Sequence, residues 1–190
     1  GCTRSALNRR LRHSGLMFTV DPGADATLGG MAATGASGTT TVMYGGMRDN
    51  VVAMTAVAPL PAPHNIIHCG RNVRKSSAGY NLTQLLLGSE GTLAIIAELT
   101  LRLHPIPTAI ISGAVPFATV RGAAETVRAA AASGLHLARA ELLDAVAVRA
   151  VNARSGLRCR EAPSLFVEFH GADTGDAERS AREFGVLAGE

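Results

Sequence analysis

The residues best suited to chemistry in this chain are its smallest ones. Residues 21–41 read DPGADATLGGMAATGASGTTT, with Gly23, Gly29, Gly30, Gly35 and Gly38 set among Ala, Ser and Thr. Glycine loses the most conformational entropy on ordering, so such a cluster needs a reason. One reason is chemical: without side chains, backbone N–H groups can approach a ligand, and N–H groups that point together cradle anions, above all at a helix N-terminus. Thr27, Thr34, Ser37 and Thr39 would add hydroxyl donors. Three familiar signatures fail on inspection. Gly30 and Gly35 have P-loop spacing, but Ala36 stands where the Lys must be. No GxGxxG joins a strand to a helix. Gly35-Ala36-Ser37-Gly38-Thr39 lacks the final glycine of a nucleophile elbow, which makes Ser37 a poor nucleophile candidate. A phosphate-bearing ligand and a close-packed or loose backbone both remain open on composition. A second small-residue loop, Gly88-Ser89-Glu90-Gly91-Thr92, favours one ligand touched twice.

Other candidates have plainer readings. His64 and His68 are spaced i, i+4, as in a helical metal pair, but Pro61 and Pro63 precede them and no third ligand is near. They read as hairpin or surface histidines. Lys75, the only lysine, lies between the two small-residue loops. It either neutralises an anion or is simply solvated, as most lysines are. Arg48-Asp49 is either an entrance to a substrate site or a plain surface pair, and the surface pair is favoured. Glu141 and Asp144 sit where a strand passes into a helix; they could face a substrate pocket, but Asp144 is explained as an N-cap without function.

The elements that must carry these residues follow from pattern. Residues 5–12 read as a short helix stopped by Gly15, and residues 16–20 as a strand entering a DPG turn. Residues 50–58 read as a buried strand, broken by LPAP and resumed at 66–68. Residues 81–87 form a helix capped by Asn81 and closed by Gly88. Residues 93–104 alternate with period two, putting Leu99, Leu101 and Leu103 on one side of a half-buried strand. Composition shifts at HPIPT. Beyond it, strands at 109–115, 136–142 and 165–169 alternate with helices at 120–133, 144–153 and 176–187, as in a sheet covered by helices. The expected domains are 1–107 and 108–190.

Composition narrows the function. The chain has 190 residues, 47% hydrophobic and 17% charged, which is globular. A formal net charge of +3 spread over scattered arginines, with 4% aromatics, argues against nucleic acid as a partner. Cys2, Cys69 and Cys159 are odd in number and far apart, so neither a disulfide framework nor a zinc site is expected. No apolar run reaches the roughly 18 residues of a membrane span.

Three blocks taken in order, DPGADATLGGMAATGASGTT, YGGMRDNV and RKSSAGYNLTQLLLGSEGTL, resemble the FAD-binding domain of PCMH-type (vanillyl-alcohol-oxidase-type) flavoproteins. The similarity extends to GCTRSALNRRLRHSGL, ARAELLDAVAVRAVN and LFVEFHG, and within the superfamily is greatest to cytochrome-linked D-lactate dehydrogenases and to glycolate oxidase. It implies an α+β protein, a PCMH-type FAD-binding subdomain followed by the start of an α/β-sandwich substrate domain. It implies FAD contacts at Pro22, Gly23, Thr27, Leu28, Gly29, Gly30, Ala33, Thr34, Gly35, Ser37 and Gly38, and again at Glu90, Gly91, Ile95 and Ile96. It also implies oxidation of a small D-2-hydroxy acid, D-lactate foremost, with glycolate or D-2-hydroxyglutarate as alternatives. Electrons would pass to cytochrome c or a quinone rather than to NAD. The location would be mitochondrial in a eukaryote, and cytoplasmic or peripheral to a membrane otherwise. The family's first FAD lobe, its catalytic base and its His-rich motif for a divalent metal have no counterpart here, so the chain is expected to be the middle of an enzyme, with no catalytic or metal-binding residue of its own. A truncated, non-catalytic flavin-binding module is the rival expectation. Met43, Ala94 and the segment 60–64 depart from the family pattern.

Overall fold

The computed structural model describes residues 1–73 and 75–189, which divide into two compact units, Gly1–Ile106 and Pro107–Glu190.

The first unit opens with α1 (Arg4–Leu11), capped by Thr3, whose Oγ1 accepts from Ala6 N at 3.2 Å. β1 (Leu16–Met17) follows and is shorter than residues 16–20 predict. Phe18 leaves the ladder because the Asn8 amide satisfies its backbone instead: Phe18 N donates to Asn8 Oδ1 at 2.8 Å, and Asn8 Nδ2 donates to Phe18 O at 2.9 Å. Within the Gly-rich tract lies α2 (Leu28–Thr34), then α3 (Thr41–Tyr44) and α4 (Met47–Asn50), none of them predicted. β2 (Val51–Val57), β3 (Ile66–Gly70), α5 (Leu82–Leu86), β4 (Ile95–Leu101) and β5 (His104–Pro105) complete the unit. β2 is the centre of an antiparallel sheet ordered β3-β2-β4, and β1 pairs β5 separately. The single strand expected over 93–104 is therefore two. It breaks where Arg102 N turns to Asn50 O, at 2.8 Å, and His104 goes on to pair Met17.

The core of this unit is Phe18, Val20, Met31, Met47, Met54, Leu86 and Leu87, with Leu99, Leu101 and Leu103 packed against it. Each such large side chain, fully buried, stabilises by about 1.5–3 kcal/mol. Strand alternation places Met54 and Ala56 inward. The histidines lie in the hairpin region: His64 in the connecting turn and His68 on β3, its Nδ1 3.2 Å from Thr55 Oγ1.

The second unit runs β6 (Ala109–Pro116), α6 (Val120–Ala132), β7 (Arg139–Leu143), α7 (Ala145–Ser155), β8 (Ser164–Gly171) and α8 (Thr174–Ala188). Asp144 caps α7, accepting from Ala147 N at 2.7 Å. The sheet order is β6-β8-β7, with the last strand in the middle and antiparallel to both neighbours. Leu165, Val167 and Phe169 of β8 share a core with Ala123, Ala130 and Phe184 of α6 and α8. Phe169 and Phe184 pack with ring centroids 5.7 Å apart. Among the described residues, no helix is long and apolar enough to cross a membrane.

Candidate functional site

The tract 21–41 is not a loose loop. Thr27 Oγ1 caps α2 by accepting from Gly30 N at 3.2 Å, and Gly35 ends the helix in the left-handed region at φ 61°. Most of the N–H groups that composition offered to a ligand have partners inside the unit. Leu28 N donates to Cys2 O, Met31 N to Thr27 O and Ala36 N to Met31 O, all at 2.9 Å. Gly38 N donates to Thr41 Oγ1 at 2.8 Å. The two ends of the tract are tied by Asp21. Its carboxylate accepts from Thr39 Oγ1 at 2.8 Å and from Thr40 N at 3.0 Å. A Cβ on Gly38 would lie 2.2 Å from Asp21 Oδ1, so this glycine serves close packing.

The expected cofactor residues fall along this frame. Pro22 is half-buried and Gly23 exposed, on the path from Val20 to α2. Thr27, Leu28, Gly29 and Gly30 form the cap and first turn of α2, where two glycines leave no bulk above the backbone. Ala33 and Thr34 lie in its last turn, with Thr34 Oγ1 donating to Gly30 O at 3.0 Å. Ser37 is exposed just beyond.

The second loop joins the first directly. Gly88 N donates to Ala32 O at 3.0 Å and Glu90 N to Ala33 O at 2.9 Å. A Cβ on Gly35 would stand 3.5 Å from Gly88 Cα. Glu90 and Gly91 both take positive φ, 50° and 79°, which turns the chain sharply into β4. Ile95 and Ile96 point to opposite sides, as neighbours on a strand must. Ile95 is 71% exposed, whereas Ile96 packs against the core and its carbonyl would lie 3.9 Å from a Cβ on Gly29. Ala94 is buried without positive φ, so Ala is tolerated there.

Two supports of this surface carry no local sequence signal. Arg48 is not a surface partner of Asp49 but a clamp. It donates to Gln84 O and Leu87 O, both at 3.2 Å, while Asp49 Oδ2 accepts from Gly46 N at 2.8 Å. Asn50 is fully buried. Its Nδ2 donates to Tyr44 O and Gly46 O, each at 2.9 Å, and its Oδ1 meets His104 Nε2 at 2.8 Å. Burial, then the nearby Arg102 charge, holds the His104 pKa below its usual value. A neutral His104 donating from Nε2 fits that bond.

The exposed side of α2 and the 88–91 turn offers bare glycine backbone at Gly30 and Gly91, the hydroxyl of Thr27, and the apolar Ile95. A dinucleotide with a pyrophosphate and a flat ring system needs these types of surface, and the residues fit FAD. Among the described residues, no cluster of three His, Cys, Asp or Glu could hold a metal ion.

Comparison with known proteins agrees with this geometry. Residues 1–60 match the FAD binding domain family, and residues 106–190 match the C-terminal domain of FAD linked oxidases. The chain is 47% identical over 175 residues to a probable mitochondrial D-lactate dehydrogenase of Danio rerio, covering 90% of this chain and 35% of that protein. It is 44% identical over 174 residues to the mitochondrial D-lactate dehydrogenase [cytochrome] of Arabidopsis thaliana, covering 92% and 30%. It is 41% identical over 168 residues to the mitochondrial D-lactate dehydrogenase [cytochrome] 1 of Saccharomyces cerevisiae, covering 87% and 28%. The chain thus spans about a third of the length of these relatives. A solved alkyldihydroxyacetonephosphate synthase shares the fold, with a TM-score of 0.77 at 22% identity over 98% of this chain and 38% of that one. Residues 1–60 and 106–190 thus carry, in this order, segments of two families of FAD enzymes, the FAD binding domain and the C-terminal domain of FAD linked oxidases.

Proposed function

We propose that this chain is the middle part of an FAD-dependent oxidoreductase that oxidises a D-2-hydroxy acid, D-lactate to pyruvate. Residues 1–107 would be the second half of the FAD-binding domain and 108–190 the beginning of the substrate domain. The observation that carries the reading is the seating of Gly88 and Glu90 on the end of α2, which makes one small-residue surface from two distant segments. The names of the relatives support D-lactate as the substrate and a cytochrome as acceptor, and their mitochondrial designation supports a mitochondrial location if the source is a eukaryote.

Bound FAD supplies the two-electron sink for the C2 hydride. This chain's residues bind and orient it. The first turn of α2, with Thr27, Gly29 and Gly30, lets a phosphate approach the backbone, and Gly35, Glu90 and Gly91 continue that wall. Ile95 gives an apolar surface that excludes water from one side. Pro22, Gly23, Ser37 and Gly38 border the wall. In this reading the base that takes the hydroxyl proton would lie in the part of the relatives' length that this chain does not span.

The test is flavin content and dye reduction by the purified full-length protein. Visible flavin absorbance and reduction by D-lactate but not L-lactate are expected. Gly30→Val places a Cβ 2.9 Å from Thr27 Oγ1 and bulk over the wall, and should cut bound flavin by about tenfold, roughly 1.4 kcal/mol of binding. A protein without flavin overturns the reading. Flavin without turnover of any 2-hydroxy acid leaves a non-catalytic binding module, and preference for glycolate or D-2-hydroxyglutarate replaces the substrate.

A further inference from the structure

The first unit also carries a concentration of positive charge outside the glycine-rich tract. A cavity of about 540 Å³ opens beside β3 and α5, and Arg48, Arg71, Lys75 and Arg102 line it, with Asp49 as its one carboxylate among the described residues. This local excess of three positive charges equals the formal net charge of the whole chain, +3. None of the four cations forms an ion pair among the described residues. Arg48 spends its hydrogen bonds on the neutral carbonyls of Gln84 and Leu87, which leaves its charge uncompensated. The Asp49 carboxylate is committed to capping Gly46 N.

Part of the lining is held by the fold. Arg102 leaves the end of β4 with its N–H fixed on Asn50 O at 2.8 Å. Gly70, at φ 80°, forms part of the floor, and a Cβ there would fall 2.3 Å from Val52 O, so no side chain can fill that spot. Thr83 lies against the same floor, 3% exposed, and its Oγ1 has no hydrogen-bond partner. Concave sites lined by one sign of charge concentrate the opposite ion. A cavity of this volume suits a small-molecule ligand rather than a chain of nucleotides.

We propose that this cavity binds a small polyanion carrying two or more phosphate or carboxylate groups. It is a site distinct from the glycine-rich wall, and it does not depend on the flavin reading. Arg48 connects the two, since a Cβ on Gly88 would lie 3.4 Å from its Nη2.

The experiment is calorimetric titration of the full chain with inorganic pyrophosphate and, separately, with citrate, at two NaCl concentrations. Saturable binding that weakens with salt is expected, because the contacts are partly exposed charges. The better of the two probes identifies phosphate or carboxylate as the preferred group. Arg71→Gln with Lys75→Gln should weaken binding by about a hundredfold, and Arg102→Gln alone by about tenfold, one charged hydrogen bond each. Flavin content of the full-length protein should be unchanged in Arg71→Gln, which separates this site from the FAD wall. No saturation below about 10 mM, a salt-insensitive affinity, or an affinity untouched by these substitutions overturns the proposal.

Discussion

Asn50 offers the most demanding test of how the first unit is held. Its side chain is fully buried and makes three short bonds, to the carbonyls of Tyr44 and Gly46 and to the ring of His104, with a longer one to Gly45 O at 3.4 Å. Asn50→Leu keeps the volume and strands all three. Each stranded group costs about 1–1.5 kcal/mol here, since Tyr44 and Gly46 are only half-buried, for a total of about 3–4.5 kcal/mol. A unit of this size unfolds in urea with a slope of about 1.5–2 kcal/mol per M, so its midpoint should fall by about 2 M. Asn50→Asp should be worse at neutral pH. It sets a carboxylate against two carbonyl oxygens and replaces a donor with a charge. Acidification, which protonates that carboxylate, should then recover part of the loss in Asn50→Asp and none in Asn50→Leu. Urea unfolding followed by circular dichroism at pH 7 and pH 4.5 reads both variants. A midpoint shift below about 0.5 M for Asn50→Leu, or no pH rescue of Asn50→Asp, would refute the account.

Gly38→Ala forces a Cβ to 2.2 Å from Asp21 Oδ1 and must displace the Asp21–Thr40 tie. It should destabilise the first unit by about 2–3 kcal/mol, seen as an early loss of protection in hydrogen exchange across residues 19–41. Acid should weaken the two units in different windows. His104 has a depressed pKa in the fold, so the unfolded chain takes up a proton first. Stability in the first unit should decline as pH drops below 6.5, and His104→Gln should flatten that decline. Asp176 is held low by Ala172 N and by Arg179, so its contribution to the second unit is present above 3.8 and lost as pH falls through its lower folded value. Asp176→Asn should abolish that part of the acid slope in pH-dependent urea midpoints.

Local chemistry made much of the fold legible. Asn81 and Asp144 announce their helices because an N-cap is a short-range bond to the third residue on. The alternation of Leu99, Leu101 and Leu103 announces a strand with one buried side. The missed elements have long-range causes. α2 is hidden by two glycines that disfavour a helix in isolation, and it stands because Met31 and Ala32 are buried beneath β4. Phe18 looks like strand, and a side-chain amide ten residues earlier takes its backbone bonds. At the site, the small residues were visible, but their division of labour was not. Gly38 packs on Asp21, Gly30 lies on the open side, and Arg48 is a clamp rather than half of a surface pair. Asn50 could not be found from neighbours, because its partner His104 lies 54 positions away.

The strand order of the second unit has a consequence for how the chain is made. β6 and β7 never touch each other in the sheet; each is paired only to β8, which comes last of the three. As the polypeptide emerges from the ribosome, residues 109–143 are complete while their shared partner is still being synthesised. Until residues 164–171 appear, both strands present unpaired edges, the state most open to chaperone capture or to misassembly with another copy. A chain stopped before residue 164 would lack the whole sheet rather than one strand of it, and a pause in translation just upstream would prolong that exposure.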